Sequence, residues 1–418
     1  MSERTTQERA TARATISPRE RVRAALEFRE VDRLPRDLGG MGSTGISCFA
    51  YPDLVRALGL PPRRPRVHDT SQMLALPDPD VLDALEIDVV AVDGDRCTNA
   101  FDEPERWAEF DFHGRLPARL MDPSGYTREP DGTVVNASGA RMPPDSYVFD
   151  NPHGGQPLDL GAQPELTPLS EVEAVAEERR LSDERIRSIA DYVSRAGSET
   201  DRAILFKGPT TGLGFPGGFP AWSMLCMTDP DYVHEYHRIV TDAAASNMRR
   251  LLPLIKDDID VIMVSADDQG LQDRTILPPS VFRELYVPYY AKVNKTIREV
   301  APKVKRFLHS CGAIYDIIDD IVESGFDVLN PVQWSAGGHS YREWKDRARG
   351  RIALWGGGVN TQSTLPFGSP EEVASEVREV AAYLAQDSGY VFCAIHNILA
   401  EIPGEKVVTM YEALRDVG

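Results

Sequence analysis

The sequence predicts an α/β chain folded as a (β/α)8 barrel of the TIM type. Two observations predict it. Eight short apolar runs recur along the chain, and most are continuous rather than alternating. Continuous runs suit parallel strands buried on both faces. Helical patterns also separate the later runs, as a barrel built of strand–helix units requires.

The runs are 34–38, 87–92, 203–206, 260–264, 304–308, 328–329, 352–355 and 390–394. Before them, residues 1–17 read as a polar tail, and 18–418 as a single domain. Ser17 and Glu20 have capping-box spacing, Pro18 suits a first helical turn, and Val22, Ala25 and Leu26 form an apolar stripe. A helical extension is therefore expected ahead of the barrel. Further helices are expected over 170–196, 230–255, 279–300, 313–324 and 370–386. The interval from about 95 to 200 is too long for one barrel connection. Its pieces WAEFDFHGRL, GYTREPDGTVVNASGARM and DNPHGGQPLDL carry turn residues between short β-like stretches. They predict a hairpin-rich insertion between the second and third strands. A doubly wound open sheet is the alternative. It expects a dinucleotide-type glycine spacing, which Leu38-Gly39-Gly40-Met41-Gly42 does not match.

Lys+Arg number 46 against 65 Asp+Glu, a net charge of −19. Such a surface repels phosphate backbones and anionic lipid, which argues against nucleic-acid or membrane partners. No apolar stretch reaches membrane-spanning length, and the N-terminus has no secretory pattern. The five cysteines (48, 97, 226, 311, 393) are odd in number and scattered, unlike a disulfide framework. The expectation is a reduced, cytoplasmic protein whose cysteines are free to bind metal or to pack.

In such a barrel the active site lies beyond the C-terminal ends of the strands. The run 304–308 leads into His309-Ser310-Cys311-Gly312. Side chains two apart on an extended segment share a side, so His309 and Cys311 point together. An imidazole beside a thiolate is half of a zinc site. A third ligand is expected from the run 390–394 and its turn, either Cys393 or His396. Cys393 sits inside the apolar run, whereas His396 lies nearer the mouth. Three protein ligands with one open position is the catalytic pattern of zinc, and a mixed N/S site also admits other divalent metals.

Other strand ends offer pocket residues. Asp267 and Asp268 follow the fourth run. Adjacent side chains there diverge, so one of them faces the site as a candidate acid or base. Asp37, Lys207, Gln272, Asn330, Gln333 and Asn360 are expected to contact substrate. The other histidines, His68 among them, have no partner at ligand spacing.

The chain resembles the uroporphyrinogen decarboxylase superfamily. The resemblance rests on SPRERVRAALEFREVDRLPRDLGG, SADDQGLQD, HSCGAIYDIIDDIVESGFDVLNPVQ, LWGGGVNTQSTLPFGSPEEV and AIHNILAEIPGEKVVTMYEAL, in that order. It implies a (β/α)8 barrel and one of two chemistries. Decarboxylases of this kind use no metal and carry arginines near the N-terminus for the substrate's carboxylates. Corrinoid-dependent methyltransferases place zinc on a His-x-Cys pair and a later cysteine. His309-x-Cys311 fits the second branch. The first run, LPRDLGG, lacks the decarboxylases' arginine motif and offers only Arg36. Aligned on Ile402-Pro403, the later cysteine is replaced here by His396, with Cys393 three residues earlier. The resemblance thus implies a zinc-dependent methyltransferase that moves a methyl group between a small methylated compound or thiol and a corrinoid on a partner protein. A homo-oligomer is compatible with it. The alternatives are a metal-free decarboxylase and a non-enzymatic binding barrel without an open metal position.

Overall fold

A computed structural model describes residues 16–149, 166–209 and 211–417. Most of the expected N-terminal tail and all of the DNPHGGQPLDL stretch lie outside the described residues.

Seven strands form a curled parallel sheet in chain order: β1 (Val89–Asp93), β2 (Ala203–Lys207), β3 (Val261–Ala266), β4 (Lys305–His309), β5 (Val328–Asn330), β6 (Ala353–Trp355) and β7 (Tyr390–Val391). The first expected strand, 34–38, is reduced to one bridging residue. Arg36 pairs in parallel with Phe392. Asp37 N–H donates to the Phe392 carbonyl, and Asp88 N–H donates to the Arg36 carbonyl. This short segment therefore joins the two ends of the parallel sheet.

Alternation along each strand explains the continuous apolar runs. Val89, Leu205, Val261, Phe307, Val328, Ala353 and Val391 pack together in the barrel interior. Their neighbours Val90, Ile204, Ile262, Leu308, Leu329, Leu354 and Tyr390 pack outward with the helices. Both faces are dry, so neither alternate position is polar.

The helix Pro18–Leu26 starts at Ser17 with the expected capping box. Its Val22 and Leu26 join the interior cluster. Arg21 is buried against Asp32 and Asp88, and Arg19 and Arg23 both reach Asp260. Asp88 and Asp260 stand immediately before β1 and β3, so these pairs fix the helix across the N-terminal end of the strands. The opposite end is left for the loops that carry the site.

Two expected helices are broken. The stretch 170–196 divides into Leu169–Glu178 and Asp183–Ser198, because Ser182 caps a new helix start. The stretch 279–300 divides at Tyr286 into Pro279–Leu285 and Val287–Val300, with Pro288 in the first turn of the second. Between β1 and β2 stand the hairpin Ala108–Asp111 with Pro117–Leu120, and a three-stranded antiparallel sheet of Thr127–Arg128, Val134–Val135 and Arg141–Met142. Among the described residues no helix is long and apolar enough to cross a membrane. All five cysteines are free.

Candidate metal centre

β4 ends on His309, and parallel register places Ala266 of β3 on one side of it and Asn330 of β5 on the other. Two residues on, Cys311 returns to the same side. Gly312 then turns the chain with φ +89°, and a Cβ there would meet the backbone of Gly270. The two turns clasp one another: Gly270 N–H donates to the Cys311 carbonyl at 3.2 Å, and Ala313 N–H to the Leu271 carbonyl at 2.8 Å. Gln333 Oε1 accepts the Gly312 N–H at 2.7 Å. His396 arrives from the loop after β7. One ligand atom from each of His309, Cys311 and His396 lies within 4.8 Å of the others.

Both imidazoles are oriented from behind. Asn330 Nδ2 donates to the Trp355 carbonyl at 2.9 Å, which a carbonyl can only accept. Asn330 Oδ1 therefore faces His309 Nδ1 at 2.7 Å and also accepts from Ser43 Oγ at 2.8 Å. His309 carries its proton on Nδ1 and presents the Nε2 lone pair. His396 Nδ1 meets Asn397 Oδ1, while Asn397 Nδ2 donates to Gln72 Oε1 at 2.8 Å. Burial, then the nearby His309, hold His396 below the ordinary imidazole range, so its lone pair is available.

The two adjacent aspartates diverge as their spacing requires. Asp267 turns into the protein. Tyr290 OH donates to its Oδ2 at 2.8 Å, the Leu213 N–H donates at 3.1 Å, and Ser265 Oγ joins them. Asp268 turns to the site, with its side chain half-exposed. Its Oδ1 is 3.3 Å from His309 Nε2 and accepts the Cys311 N–H at 3.0 Å. Burial would raise the Asp268 carboxyl, but when His309 is protonated on both nitrogens its hydrogen bond and charge, with the Cys311 N–H, hold that carboxyl well below the usual carboxylate range. Burial, followed by the Asp268 charge, pushes the Cys311 thiol well above its ordinary value.

A family profile described as uroporphyrinogen decarboxylase (URO-D) matches residues 161–417, which include all three of these side chains. The chain belongs to the uroporphyrinogen decarboxylase family. Within that family its curated relatives are distant. The uroporphyrinogen decarboxylase of Legionella pneumophila (strain Lens) is 24% identical over 181 residues, covering 43% of this chain and 48% of that protein. Uroporphyrinogen decarboxylase 2, chloroplastic, of Oryza sativa subsp. japonica is 24% identical over 143 residues, covering 34% of each. The chain thus spans about half the length, or less, of these curated relatives. Among solved structures, a methyltransferase from Methanosarcina mazei superposes with a TM-score of 0.54 at 15% identity, covering 96% of this chain and 99% of that one. That likeness shows the shared fold.

In this family member the mouth holds a cavity of about 450 Å³, which His309, His396, Asp268 and Lys207 help to line. Lys207 Nζ is 3.5 Å from Asp93 Oδ2, so the lysine expected to contact substrate is also paired. Of the remaining expected residues, Asn330 and Gln333 act through His309 and Gly312. Asp37 is fully buried, accepting from Trp355 Nε1 and Gly40 N–H, both at 2.8 Å, and does not line the cavity. Gln272 Nε2 donates to the Ser335 carbonyl at 3.0 Å, and Asn360 Oδ1 accepts the Gln362 N–H at 2.9 Å. Gln272 ties two rim loops together, Asn360 braces its own loop, and both lie outside the cavity lining. Cys393 packs inside the barrel with Trp355 and is not part of the His309–Cys311–His396 cluster.

Ser43, Gln72 and Asn397, which stand behind the two imidazoles, and His68, Asp93 and Arg96, which also line the cavity, were not anticipated. The rule that strand ends face the site, applied to β1, points to Asp93. Ser43 and Gln72 lie on connections whose position only the folded chain defines.

Proposed function

We propose that this protein is a zinc-dependent methyltransferase. It moves a methyl group between a small methylated compound, or a thiol, and a corrinoid carried by a partner protein. The convergence of one thiol and two imidazoles within 4.8 Å at the barrel mouth carries this reading. The donor set fits zinc: two borderline nitrogens and one sulfur, with both Nδ1 atoms already engaged by amide oxygens. Bound zinc would supply a Lewis acid that stabilises a thiolate or polarises the heteroatom bearing the methyl group.

The chain's own residues do the rest. Asn330 and Asn397 keep the two Nε2 lone pairs directed forward. Asp268 is half-exposed, beside His309 Nε2, and receives the proton that an incoming thiol gives up. Lys207 and Asp93 place one charge of each sign on the far wall for the polar part of a substrate. A decarboxylase reading asks for a first-strand arginine at the mouth. Arg36 is instead buried, with its Nη1 2.7 Å from Glu86 Oε2 and donating to the Leu85 carbonyl at 3.3 Å.

Elemental analysis of untagged protein, wild type beside Cys311→Ser, tests the proposal. About one zinc per chain, lost in the variant, is expected. Demethylation of free methylcobalamin by an added thiol then reports the chemistry. Wild type that is metal-free when purified without chelator, and still unable to take up added zinc, overturns the reading.

A further inference from the structure

Five neighbouring connections around the mouth carry no charged residue. β4, β5, β6 and β7 pair in that order, and Arg36 bridges to Phe392 just beyond β7. The stretches that hold these strand ends and the loops beyond them are 309–315, 328–341, 352–370, 388–400 and 38–52. None contains Asp, Glu, Lys or Arg, in a chain that is 27% charged and carries a net charge of −19. Connections run over the surface, where charged side chains ordinarily collect. A surface depleted of charge is instead a mark of the centre of an interface.

The charged side chains that reach this arc from the helices are spent on its loops. Glu376 accepts the Asn360 N–H at 2.6 Å and the Thr364 hydroxyl. Lys406 Nζ donates to the Pro366 carbonyl and Arg347 to the Tyr315 carbonyl, both at 2.8 Å. What the arc turns outward is apolar or neutral. Phe367 and Leu399 are 84% and 53% exposed. The exposed Gln362 lies 3.4 Å from Gln272, amide to amide, and so spans to the loop after β3. The charges that line the mouth cavity from the strand ends, Asp93, Lys207 and Asp268, stand on the other side, at or beyond the ends of β1, β2 and β3. The mouth thus has a charged sector and an uncharged one.

We infer that the uncharged arc seats the corrinoid ring itself, while the small methylated compound or thiol enters the charged sector. A cavity of about 450 Å³ is of a size for a small molecule. A corrin ring with its arms is larger, so it rests on the rim, with one face over His309, Cys311 and His396. Its edge carries methyl groups and uncharged amide arms, which match exposed apolar side chains and neutral amides. A carboxylated tetrapyrrole needs cations around its arms, and the arc offers none. The identity of the ring rests on the methyl-transfer reading, and the neutrality of its seat on the five loops alone.

Isothermal titration calorimetry tests the seat with cyanocobalamin, whose two axial positions are filled and cannot take up Cys311 or an imidazole. Acid-hydrolysed cyanocobalamin, in which several amide arms are carboxylates, and uroporphyrin III are the anionic probes. The proteins are wild type, Gln362→Glu and Leu399→Glu on the arc, Cys311→Ser, and Leu254→Glu at the end of the helix Pro230–Ile255 that leads into β3 from below. Each is checked for an unchanged melting temperature. Cyanocobalamin is expected to bind wild type, Cys311→Ser and Leu254→Glu alike, and at least tenfold more weakly to both arc variants. Wild type is expected to bind the hydrolysed form and uroporphyrin III at least tenfold more weakly than cyanocobalamin. Its affinity for cyanocobalamin is expected to change by about twofold or less between about 50 and 500 mM salt, because no ionic contact is made. The absence of saturable cyanocobalamin binding, equal binding by both arc variants, or equal binding of either anionic probe overturns the inference. So does a wild-type dimer, seen by light scattering, that both arc variants dissolve, since the arc then belongs to a second copy of the chain. Cyanocobalamin binding by a chain that never takes up zinc upholds the seat and removes the zinc-dependent reading. Zinc uptake without cyanocobalamin binding overturns the seat and leaves the metal centre standing.

Discussion

Asn330 Oδ1 lies 2.7 Å from His309 Nδ1, and both side chains are buried. The contact is directional because Asn330 Nδ2 is committed to the Trp355 carbonyl. An acceptor behind a metal-binding imidazole fixes its tautomer and raises its basicity. Asn330→Leu, which removes the acceptor at similar volume, is expected to weaken zinc binding by about 10- to 100-fold. Asn330→Asp keeps an acceptor and is expected to fall between the two. Competition with a chromophoric chelator measures both. Equal affinity in Asn330→Leu would show that the ring needs no such support.

His309 and Cys311 were legible in the sequence because a two-residue period is a local property. His396 over Cys393 was legible only in part. Cys393 continues an apolar run into the barrel interior, and the run's length hides where the ladder stops, since β7 ends at Val391. Which of Asp267 and Asp268 faces the mouth was not legible. Ser265, Tyr290 and Leu213 draw Asp267 inward, and Tyr290 and Leu213 are distant in the chain. The same holds for Ser43, which reaches Asn330 across 287 positions. The strands themselves were readable because both of their faces are apolar. The first was overestimated because an apolar run need not form a ladder: only Arg36 bridges.

Cys393 and Cys311 differ by environment rather than by chemistry. Cys393 is 1% exposed and packed inside the barrel, where its thiol lies close under Gly356. Cys393→Ala is expected to leave zinc stoichiometry unchanged and to cost about 1 kcal/mol of stability from the small cavity it opens. Cys311→Ser and His396→Ala are each expected to lose zinc. Metal content beside urea unfolding separates the three. Zinc loss in Cys393→Ala with a normal melting temperature would return Cys393 to the ligand set.

Asp268 touches both ends of the His309–Cys311 pair without belonging to the three-ligand cluster. Asp268→Asn keeps an acceptor for the Cys311 N–H and removes the charge. Zinc is expected to remain at about one per chain, while turnover in the methylcobalamin–thiol assay falls by about 100-fold, the scale of a lost general base. Full turnover in the variant would assign Asp268 to holding the Cys311 turn alone.

Asp37 makes a prediction about stability rather than turnover. It is fully buried, and burial raises its carboxyl to about 6, although bonds from Trp355, Thr44 and Gly40 act against this. An unfolded aspartate titrates near 3.9. The folded chain therefore binds this proton more tightly than the unfolded chain does. The contribution is fully present below about pH 4 and is lost as pH rises through about 6. The displacement corresponds to about 3 kcal/mol. Asp37→Asn is neutral at every pH, and the groups that feel the Asp37 charge, Cys393 and Tyr411, titrate well above this range. The stability of wild type relative to Asp37→Asn is thus expected to fall by that amount between about pH 4 and pH 7, and to stay level above it. Urea unfolding of both proteins at intervals across this range measures the difference. A difference that does not change with pH would mean that Asp37 stays ionised beneath Trp355, held by its hydrogen bonds in spite of burial.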